Sequence, residues 1–291
     1  MATPTQTSKG TDTLTAILLF VITFALWQAY WQLLETIRPG YPYDYILFLA
    51  IPIASIAAYA ALIIARRTTF KRHGFRKPAN IKTKTTILLG IACAIFYIIM
   101  LLAPGITGVL STGNISEGFE VSRFMTTPIN ILYRTGLGMA YAIIISLAYE
   151  TVFRGYIFRN LVRHHGFFKS LYASAIMFSL ISATSKTSIS SLLTMDTSSL
   201  AEFLFMDILT AFAAGLFLGY YFYKTGWSLL GPVIFQMGVS FFLWPDPLIS
   251  STSLWWMALT FQVIGYAVLI LAIDSFVKEP MYVRKRYGLE S

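Results

Sequence analysis

The chain has 291 residues, of which 56% are hydrophobic and only 12% are charged, and its mean hydropathy is +0.67. Soluble domains usually carry about a quarter charged residues, so this composition excludes an ordinary soluble domain and predicts a protein that crosses a membrane several times. The net charge of +9 does not favour nucleic-acid binding, because eight of the 22 Lys and Arg residues lie between positions 66 and 84, beside apolar runs. Basic loops in that position orient membrane proteins and meet anionic lipid.

Eight apolar runs are long enough to cross the hydrocarbon core as helices, which takes about 20 residues each. The predicted spans are residues 14–36, 44–65, 85–105, 127–149, 169–187, 201–223, 227–245 and 253–277. We therefore predict an all-α integral membrane protein, a bundle of about eight transmembrane helices. The first run follows a polar, Thr- and Ser-rich segment and is interpreted as a transmembrane helix rather than a signal peptide.

The distribution of basic residues predicts that the N- and C-termini are cytoplasmic. If the 66–84 loop lies inside, the 150–168 segment and the C-terminal tail lie inside as well. Few basic residues then remain for the outer side or the membrane, namely Arg38, Arg123, Arg134 and Lys186. A glycosylation sequon at Asn114 falls in a loop that this topology places outside. The expected location is a prokaryotic cytoplasmic membrane, crossed several times.

Ionisable side chains inside the predicted spans are few, and such residues are functional hypotheses by default because their burial in hydrocarbon is costly. Glu150 and Arg154 stand four residues apart at the end of the fourth span, so a helix places them on one face, where they can pair. The pair is either a reactive site or a lock on the helix end. Arg134 lies nearer the outer third of the same span, where its long side chain can snorkel. Asp207, in the sixth span, is a candidate partner for Arg134.

Three short motifs occur in order on the predicted helices. The first is Tyr149-Glu150-Thr151-Val152-Phe153-Arg154-Gly155, the second runs from Phe178 to Ser182, and the third runs from Gln236 to Ser240. In order and placement they resemble the CPBP family (CAAX protease and bacteriocin-processing, also called Abi) of intramembrane endopeptidases, whose motifs are EExxxR, FxxxH and HxxxN/D. The resemblance implies a CPBP-like four-helix core at 126–245. Residues 1–125 precede it with a tail and three helices, and residues 246–291 follow with the last helix and a basic tail.

The family's catalytic positions are largely substituted in this chain. The resemblance implies that Glu150 would activate a water molecule together with the two motif histidines, and it also suggests a divalent metal. Here Tyr149 replaces the first glutamate, Ser182 and Gln236 replace the histidines, and Ser240 replaces the Asn or Asp. The chain has only three histidines, all in predicted loops: His73, His164 and His165.

We therefore expect a catalytically inactive CPBP homologue that serves as a binding, assembly or accessory subunit in the membrane, with Glu150 and Arg154 kept for structure. The expected partners are the lipid bilayer and another membrane protein or a membrane-embedded peptide, and no nucleic acid. No cofactor or metal is expected, because Glu150 with only serine and amide side chains at the other motif positions gives a poor ligand set. Two alternatives stay open: an active endopeptidase that uses Glu150, and a small-solute transporter lined by Arg134, Glu150 and Asp207.

Overall fold

The computed structural model describes residues 9–37, 43–79, 81–113, 120–121, 128–243, 248–249 and 255–277. Within these ranges the secondary structure is helical, apart from two strands of two residues each, β1 (Glu120–Val121) and β2 (Leu248–Ile249). The strands pair antiparallel, with Glu120 opposite Ile249. The predicted all-α class is confirmed, since this single short ladder contributes little to the architecture.

The described α-helices follow one another in this order: α1 (Lys9–Ile37), α2 (Tyr43–Ala65), α3 (Thr83–Thr112), α4 (Pro128–Tyr149), α5 (Arg159–His165), α6 (Phe167–Thr184), α7 (Ile189–Leu193), α8 (Thr197–Glu202), α9 (Thr210–Lys224), α10 (Leu230–Leu243) and α11 (Trp255–Phe276). Two π-helical segments continue neighbouring helices, π1 (Glu150–Phe158) after α4 and π2 (Phe203–Leu209) after α8. A 3-10 turn, Phe70–His73, lies in the loop between α2 and α3.

The bundle contains helices of membrane-spanning length. Within the described ranges, six segments are long and apolar enough to cross a membrane: Gly10–Leu34, Thr83–Ser111, Thr135–His165, Phe167–Thr184, Thr197–Lys224 and Trp256–Phe276. Two shorter apolar helices, Leu49–Ala65 and Leu230–Phe242, correspond to the second and seventh predicted spans. The protein is therefore a multi-pass integral membrane protein, as its composition predicts.

The fourth span does not end where the sequence predicted. We expected a helix to residue 149 and a connecting segment at 150–168, but α4, π1 and α5 form one continuous helix that reaches His165. Every residue of π1 is buried, so packing by the rest of the bundle sustains the helix through its polar positions. The chain turns only at Gly166, whose φ of 78° lies in the left-handed region that glycine adopts readily. Glu150 consequently lies in the interior of a long helix.

The π1 segment occupies the centre of the bundle. It packs against α1, α2, α6 and α9, while α10 packs against α3 and α4 on the other side of the core. The fully buried aromatic side chains concentrate around it, including Phe153, Tyr156 and Phe217. The first motif is thus surrounded by helices on all these sides. A π-helical segment is rare and often marks a functional site.

The loop between α2 and α3 is folded against the bundle, and we call residues 66–84 the basic cap. The amide of Leu229 donates to the carbonyl of Gly74 at 3.1 Å, and the Ser228 hydroxyl donates to the carbonyl of Arg76 at 2.8 Å. Gly74 has a φ of 100°, and a Cβ atom there would lie 2.8 Å from the Leu229 side chain. The basic cap is therefore docked on the turn between α9 and α10.

Candidate functional site

Glu150 and Arg154 form an ion pair in the protein interior. Arg154 Nη1 lies 3.2 Å from Glu150 Oε1, and the two side chains are 1% and 0% exposed. The contact expected from their spacing is therefore present, although the backbone there is π-helical rather than α-helical. A buried charge without a counter-ion is strongly destabilising. Each member of the pair therefore offsets the cost of burying the other.

The Arg154 guanidinium joins three helical elements. Its Cζ lies 4.2 Å from the centre of the Phe178 ring on α6, the first residue of the second motif, which is a cation–π geometry. Its Nη2 donates to the carbonyl of Gly215 on α9 at 3.5 Å. Arg154 thus holds π1 against α6 and α9.

Gly215 permits the close approach that this arrangement requires. A Cβ atom on Gly215 would lie 2.9 Å from the Cα of Ala175 on α6, nearer than packed atoms come. Four residues later, a Cβ on Gly219 would lie 2.5 Å from Leu171 on the same helix. Small residues at this spacing let two membrane helices pack backbone to backbone. The close packing brings the Gly215 carbonyl within reach of Arg154.

Tyr149, the first residue of the first motif, belongs to an aromatic cluster. Its ring is edge-on to those of Phe153 and Phe178, with centroid distances of 6.1 and 5.7 Å. Phe153 and Phe178 are themselves edge-on at 5.3 Å. Such pairs add to the energy of burial. The cluster forms an apolar wall beside the ion pair.

The substituted positions of the third motif bind one another. Gln236 Nε2 donates to Ser240 Oγ at 3.4 Å, so these two residues share a face of α10 as their spacing predicts. Ser240 is buried and Gln236 is half-buried. Ser182, the last residue of the second motif, is half-buried on α6, and its carbonyl accepts a hydrogen bond from the Ser185 hydroxyl at 2.7 Å. These groups are neutral hydrogen-bonding groups rather than imidazoles.

Ser146 adds a polar group that sequence reasoning missed. It precedes Glu150 by four residues and is fully buried. Within the described ranges, its hydroxyl and the two Glu150 carboxylate oxygens form no hydrogen bond, although Glu150 Oε1 is in the ion pair with Arg154. The spacing of Ser146, Glu150 and Arg154 was the available signal, because residues four apart share a helical face. The site therefore contains a row of polar groups along α4 and π1.

The residues around Glu150 do not fit a resident divalent metal ion. Such an ion needs several carboxylate, imidazole or other oxygen ligands that converge on it. Throughout the described parts of the chain, no group of three His, Cys, Asp or Glu side chains is placed to hold one. The Glu150 carboxylate instead faces a guanidinium at 3.2 Å, whose positive charge opposes a second cation. We therefore derive no catalytic step through a metal.

His73 contacts the end of the first motif, a contact that the sequence did not predict. Its Nδ1 donates to the carbonyl of Gly155 at 3.0 Å, and its Nε2 accepts from the Thr68 hydroxyl at 3.1 Å. The ring stacks on Tyr156 with a centroid distance of 5.2 Å. Burial, more than any other influence, lowers the pKa of His73 to about 4, so the imidazole is neutral at physiological pH. A Cβ atom on Gly155 would lie 2.7 Å from the His73 carbonyl oxygen.

Asp12 is the centre of a second ionic cluster at the same end of the motif helix. Its carboxylate lies 2.7 Å from Arg66 Nη2, 2.9 Å from His164 Nε2 and 3.9 Å from Arg163 Nη1. The carboxylate is buried, so it is shielded from competing water. Nearby, Thr13 Oγ1 and His165 Nε2 lie 3.0 Å apart. This cluster ties α1 and the basic cap to α5.

The remaining sequence-predicted charges lie apart from this site or outside the described residues. Asp207, in π2, forms an ion pair with the exposed Lys186, with 2.5 Å between Oδ1 and Nζ. Arg134 lies in α4, but its side chain is outside the described residues, so its predicted pairing with Asp207 stays a prediction. Asn114 and its sequon also lie outside the described residues.

Residues 130–242 match the family described as Rce1-like, type II CAAX prenyl endopeptidase. This segment contains all three motifs, and it includes α6 and α9, the two helices that Arg154 joins to π1. It resembles the domains of the CPBP family. The predicted family resemblance is thereby confirmed, and no curated protein matches the chain. Within the matched segment, the first motif contains the Glu150–Arg154 pair, and the second and third motifs contain Ser182, Gln236 and Ser240.

Proposed function

We propose that this protein is a catalytically inactive CPBP homologue that acts as a binding, assembly or accessory subunit in the membrane. The observation that carries the proposal is the environment of Glu150. Its carboxylate is fully buried and faces Arg154 at 3.2 Å, and the Arg154 guanidinium packs in turn on the Phe178 ring. A general base must come within hydrogen-bonding distance of the proton that it abstracts, and a fully buried carboxylate paired with a guanidinium is poorly placed to do so.

The positions of the three histidines support the same proposal. His73 binds the Gly155 carbonyl, His164 binds Asp12, and His165 binds Thr13. All three contacts lie at the end of the bundle that holds the basic cap. Water activation by an imidazole requires direct contact with the reacting group. The imidazoles of this chain are engaged in structural contacts away from Glu150.

The preserved packing explains what such a subunit would retain. Arg154 joins π1 to α6 and α9, and α6 and α9 pack closely against each other. Membrane helices associate through close packing and hydrogen bonds rather than through hydrophobic attraction. The partner that this chemistry favours is a transmembrane segment of another protein or a membrane-embedded peptide.

One observation favours a second candidate, an active endopeptidase that uses Glu150. Among the residues that the structure describes, the Glu150 carboxylate contacts the Arg154 guanidinium, but neither its oxygens nor the buried Ser146 hydroxyl forms a hydrogen bond. Buried polar groups are normally satisfied by protein or by ordered water, and a water molecule between these groups would stand beside a carboxylate. Hydrolysis at this point would have to proceed without an imidazole.

The test compares the wild type and Glu150→Gln in proteoliposomes, with activity normalised to the folded fraction. Farnesylated CAAX peptides and unmodified transmembrane peptides serve as substrates. We expect both proteins to leave the peptides intact, and we expect both to form the same stoichiometric cross-link to a membrane protein in intact membranes. Cleavage by the wild type that disappears in Glu150→Gln would overturn the proposal in favour of the endopeptidase. Uptake of a solute into the same vesicles would favour a transporter.

A further inference from the structure

We propose that the basic cap, residues 66–84, is a docking surface for the anionic phospholipid headgroups of the adjoining leaflet. The cap begins directly after the apolar helix α2 ends at Ala65, and it ends where the apolar helix α3 begins at Thr83. Both of its ends are therefore at the boundary of the hydrocarbon region. The cap consequently lies at the depth of the lipid headgroups. This inference does not depend on whether the core is catalytic.

The cap presents a dense positive surface. Its exposed cationic side chains are Arg67, Lys71, Arg72, Lys77, Lys82 and Lys84. Positions 66 to 84 contain no acidic residue. The nearby carboxylate of Asp12 is buried against Arg66 and His164, so it faces away from this surface. Clusters of four to eight Lys and Arg beside a transmembrane helix attract anionic lipid.

Two phenylalanines project from the same surface. Phe70 is 45% exposed and Phe75 is 42% exposed, and their rings meet edge-on with centroids 5.8 Å apart. Both rings also contact Tyr59 at the end of α2. Aromatic rings are favourable at the interface between headgroups and acyl chains, and unfavourable when fully in water. Phe70 directly precedes Lys71 and Arg72, so the apolar and the cationic side chains reach the same part of the leaflet.

The cap is held in one conformation before any lipid arrives. His73 binds Gly155, and Gly74 and Arg76 bind the turn between α9 and α10. A preformed surface loses little conformational freedom when it binds, which favours affinity. Because His73 rests on the first-motif helix, lipid bound to the cap should also stabilise the core of the bundle.

The combination of features favours lipid over an acidic soluble protein. A soluble partner would account for the cations, but it would have to cover two phenylalanines that lie beside the ends of apolar helices. A phospholipid matches both the cationic and the aromatic side chains. Its phosphate lies at the depth of the cations, and its acyl carbon atoms lie immediately below, where the two phenylalanines can contact them. A free phosphate ion would satisfy the cations alone.

The experiment measures lipid retained by the full-length purified protein in neutral detergent. Phosphatidylglycerol, phosphatidylcholine with the same acyl chains, and soluble glycerol 3-phosphate are titrated separately, with bound lipid counted by native mass spectrometry and melting temperature recorded in parallel. We expect phosphatidylglycerol to bind more tightly than phosphatidylcholine and to raise the melting temperature. Removing a cation should weaken phosphatidylglycerol binding about fivefold at low salt, so Lys71→Gln/Arg72→Gln should weaken it by more than tenfold.

Further variants separate the two parts of the surface. Phe70→Ser/Phe75→Ser should weaken phosphatidylglycerol binding while its dependence on salt concentration is retained, because the cations remain. The matched control is Phe168→Ser/Lys169→Gln, which removes an exposed phenylalanine and an exposed lysine at the start of α6 and should leave binding unchanged. If Lys71→Gln/Arg72→Gln lowers the melting temperature even without lipid, Lys77→Gln/Lys82→Gln is used instead, because it removes two other exposed cations of the basic cap.

Three results would overturn the proposal. The first is equal retention of phosphatidylglycerol and phosphatidylcholine by the wild type. The second is equal loss of phosphatidylglycerol binding in the cap variants and the α6 control. The third is competition by glycerol 3-phosphate at the same concentration as the lipid, which would indicate a soluble-anion site instead.

Discussion

His73 Nδ1 lies 3.0 Å from the carbonyl oxygen of Gly155, and this contact joins the basic cap to the first motif across 82 positions of sequence. Its importance is twofold. It satisfies a buried backbone carbonyl in the π1 segment, and it places the backbone of the cap directly over Gly155. The first motif is therefore positioned from outside its own helix as well as through Glu150 and Arg154.

Gly155→Ala should destabilise the protein. The new Cβ atom would lie 2.7 Å from the His73 carbonyl oxygen, and overpacking of this kind costs about 1–3 kcal/mol. The measurement is thermal unfolding in detergent. Gly136→Ala in α4 is the matched control, because a Cβ atom there meets nothing within 4 Å, and it should be neutral or slightly stabilising. Equal melting temperatures for the two variants would contradict the contact.

Stability should fall when the pH is lowered through the range in which His73 titrates. The pKa of His73 is lowered by burial to about 4, whereas the unfolded chain has the ordinary value of 6.5. Between these values the unfolded state binds more protons, so the contribution is complete above pH 6.5 and is lost as the pH falls towards 4. The loss amounts to about 2–3 kcal/mol. His73→Asn should lack this part of the pH profile, and an unchanged profile in that variant would refute the assignment.

Asp12→Asn should open the ionic cluster between α1, the basic cap and α5. Removing the buried anion leaves Arg66 and His164 facing a neutral amide, and breaking such a buried pair costs about 3–5 kcal/mol. Denaturant unfolding of the purified protein measures the change. Asp196→Asn is a suitable control, because Asp196 caps α8 at the surface and asparagine caps a helix equally well. A comparable loss of unfolding free energy in both variants would show that the Asp12 cluster does not stabilise the protein more than a surface helix cap does.

Glu150→Gln should be more destabilising than the double variant Glu150→Gln/Arg154→Gln. The single change leaves the Arg154 guanidinium buried without its counter-ion, whereas the double change removes both charges. A double-mutant cycle on unfolding free energy gives the coupling. We expect the single change to cost about 3–5 kcal/mol, and we expect the double change to recover part of that loss. Simple additivity would show that the pair does not act as a structural lock.

Restoring the family's polar residues should not restore catalysis. The triple variant Ser182→His, Gln236→His and Ser240→Asn would supply the missing imidazoles, but Glu150 would still face Arg154 behind an aromatic wall. Groups around a catalytic residue must orient it as well as surround it. Cleavage of peptide substrates in proteoliposomes is the readout, with the wild type as background. Activity clearly above that background would show that the scaffold is still competent.

Hydropathy alone was sufficient for the architecture, because a segment in lipid must satisfy its own backbone and therefore forms a helix. The Glu150–Arg154 contact also followed from sequence, since a spacing of four residues determines a shared face. The continuation of the helix beyond Tyr149 did not follow. A glutamate and an arginine after an apolar run indicate the membrane surface, and only the surrounding helices make that stretch an interior segment.

The long-range contacts were beyond sequence reasoning for a different reason. His73 stands among exposed lysines and arginines, where a histidine is expected to face water, and nothing local indicates that it binds Gly155. Asp12 precedes the first apolar run, and its position predicts a solvent-exposed residue in the first turn of a helix. It is buried in an ionic cluster only because α2 and α5 end beside it and bring Arg66 and His164 into contact with its carboxylate.

The glycine that follows the motif arginine has a bearing on how relatives of this protein are recognised. Because the His73 carbonyl oxygen leaves no room for a Cβ atom at Gly155, this glycine is required by packing whether or not the core is catalytic. The Glu-x-x-x-Arg-Gly string therefore describes how the helix meets the basic cap, and it does not by itself identify a working protease.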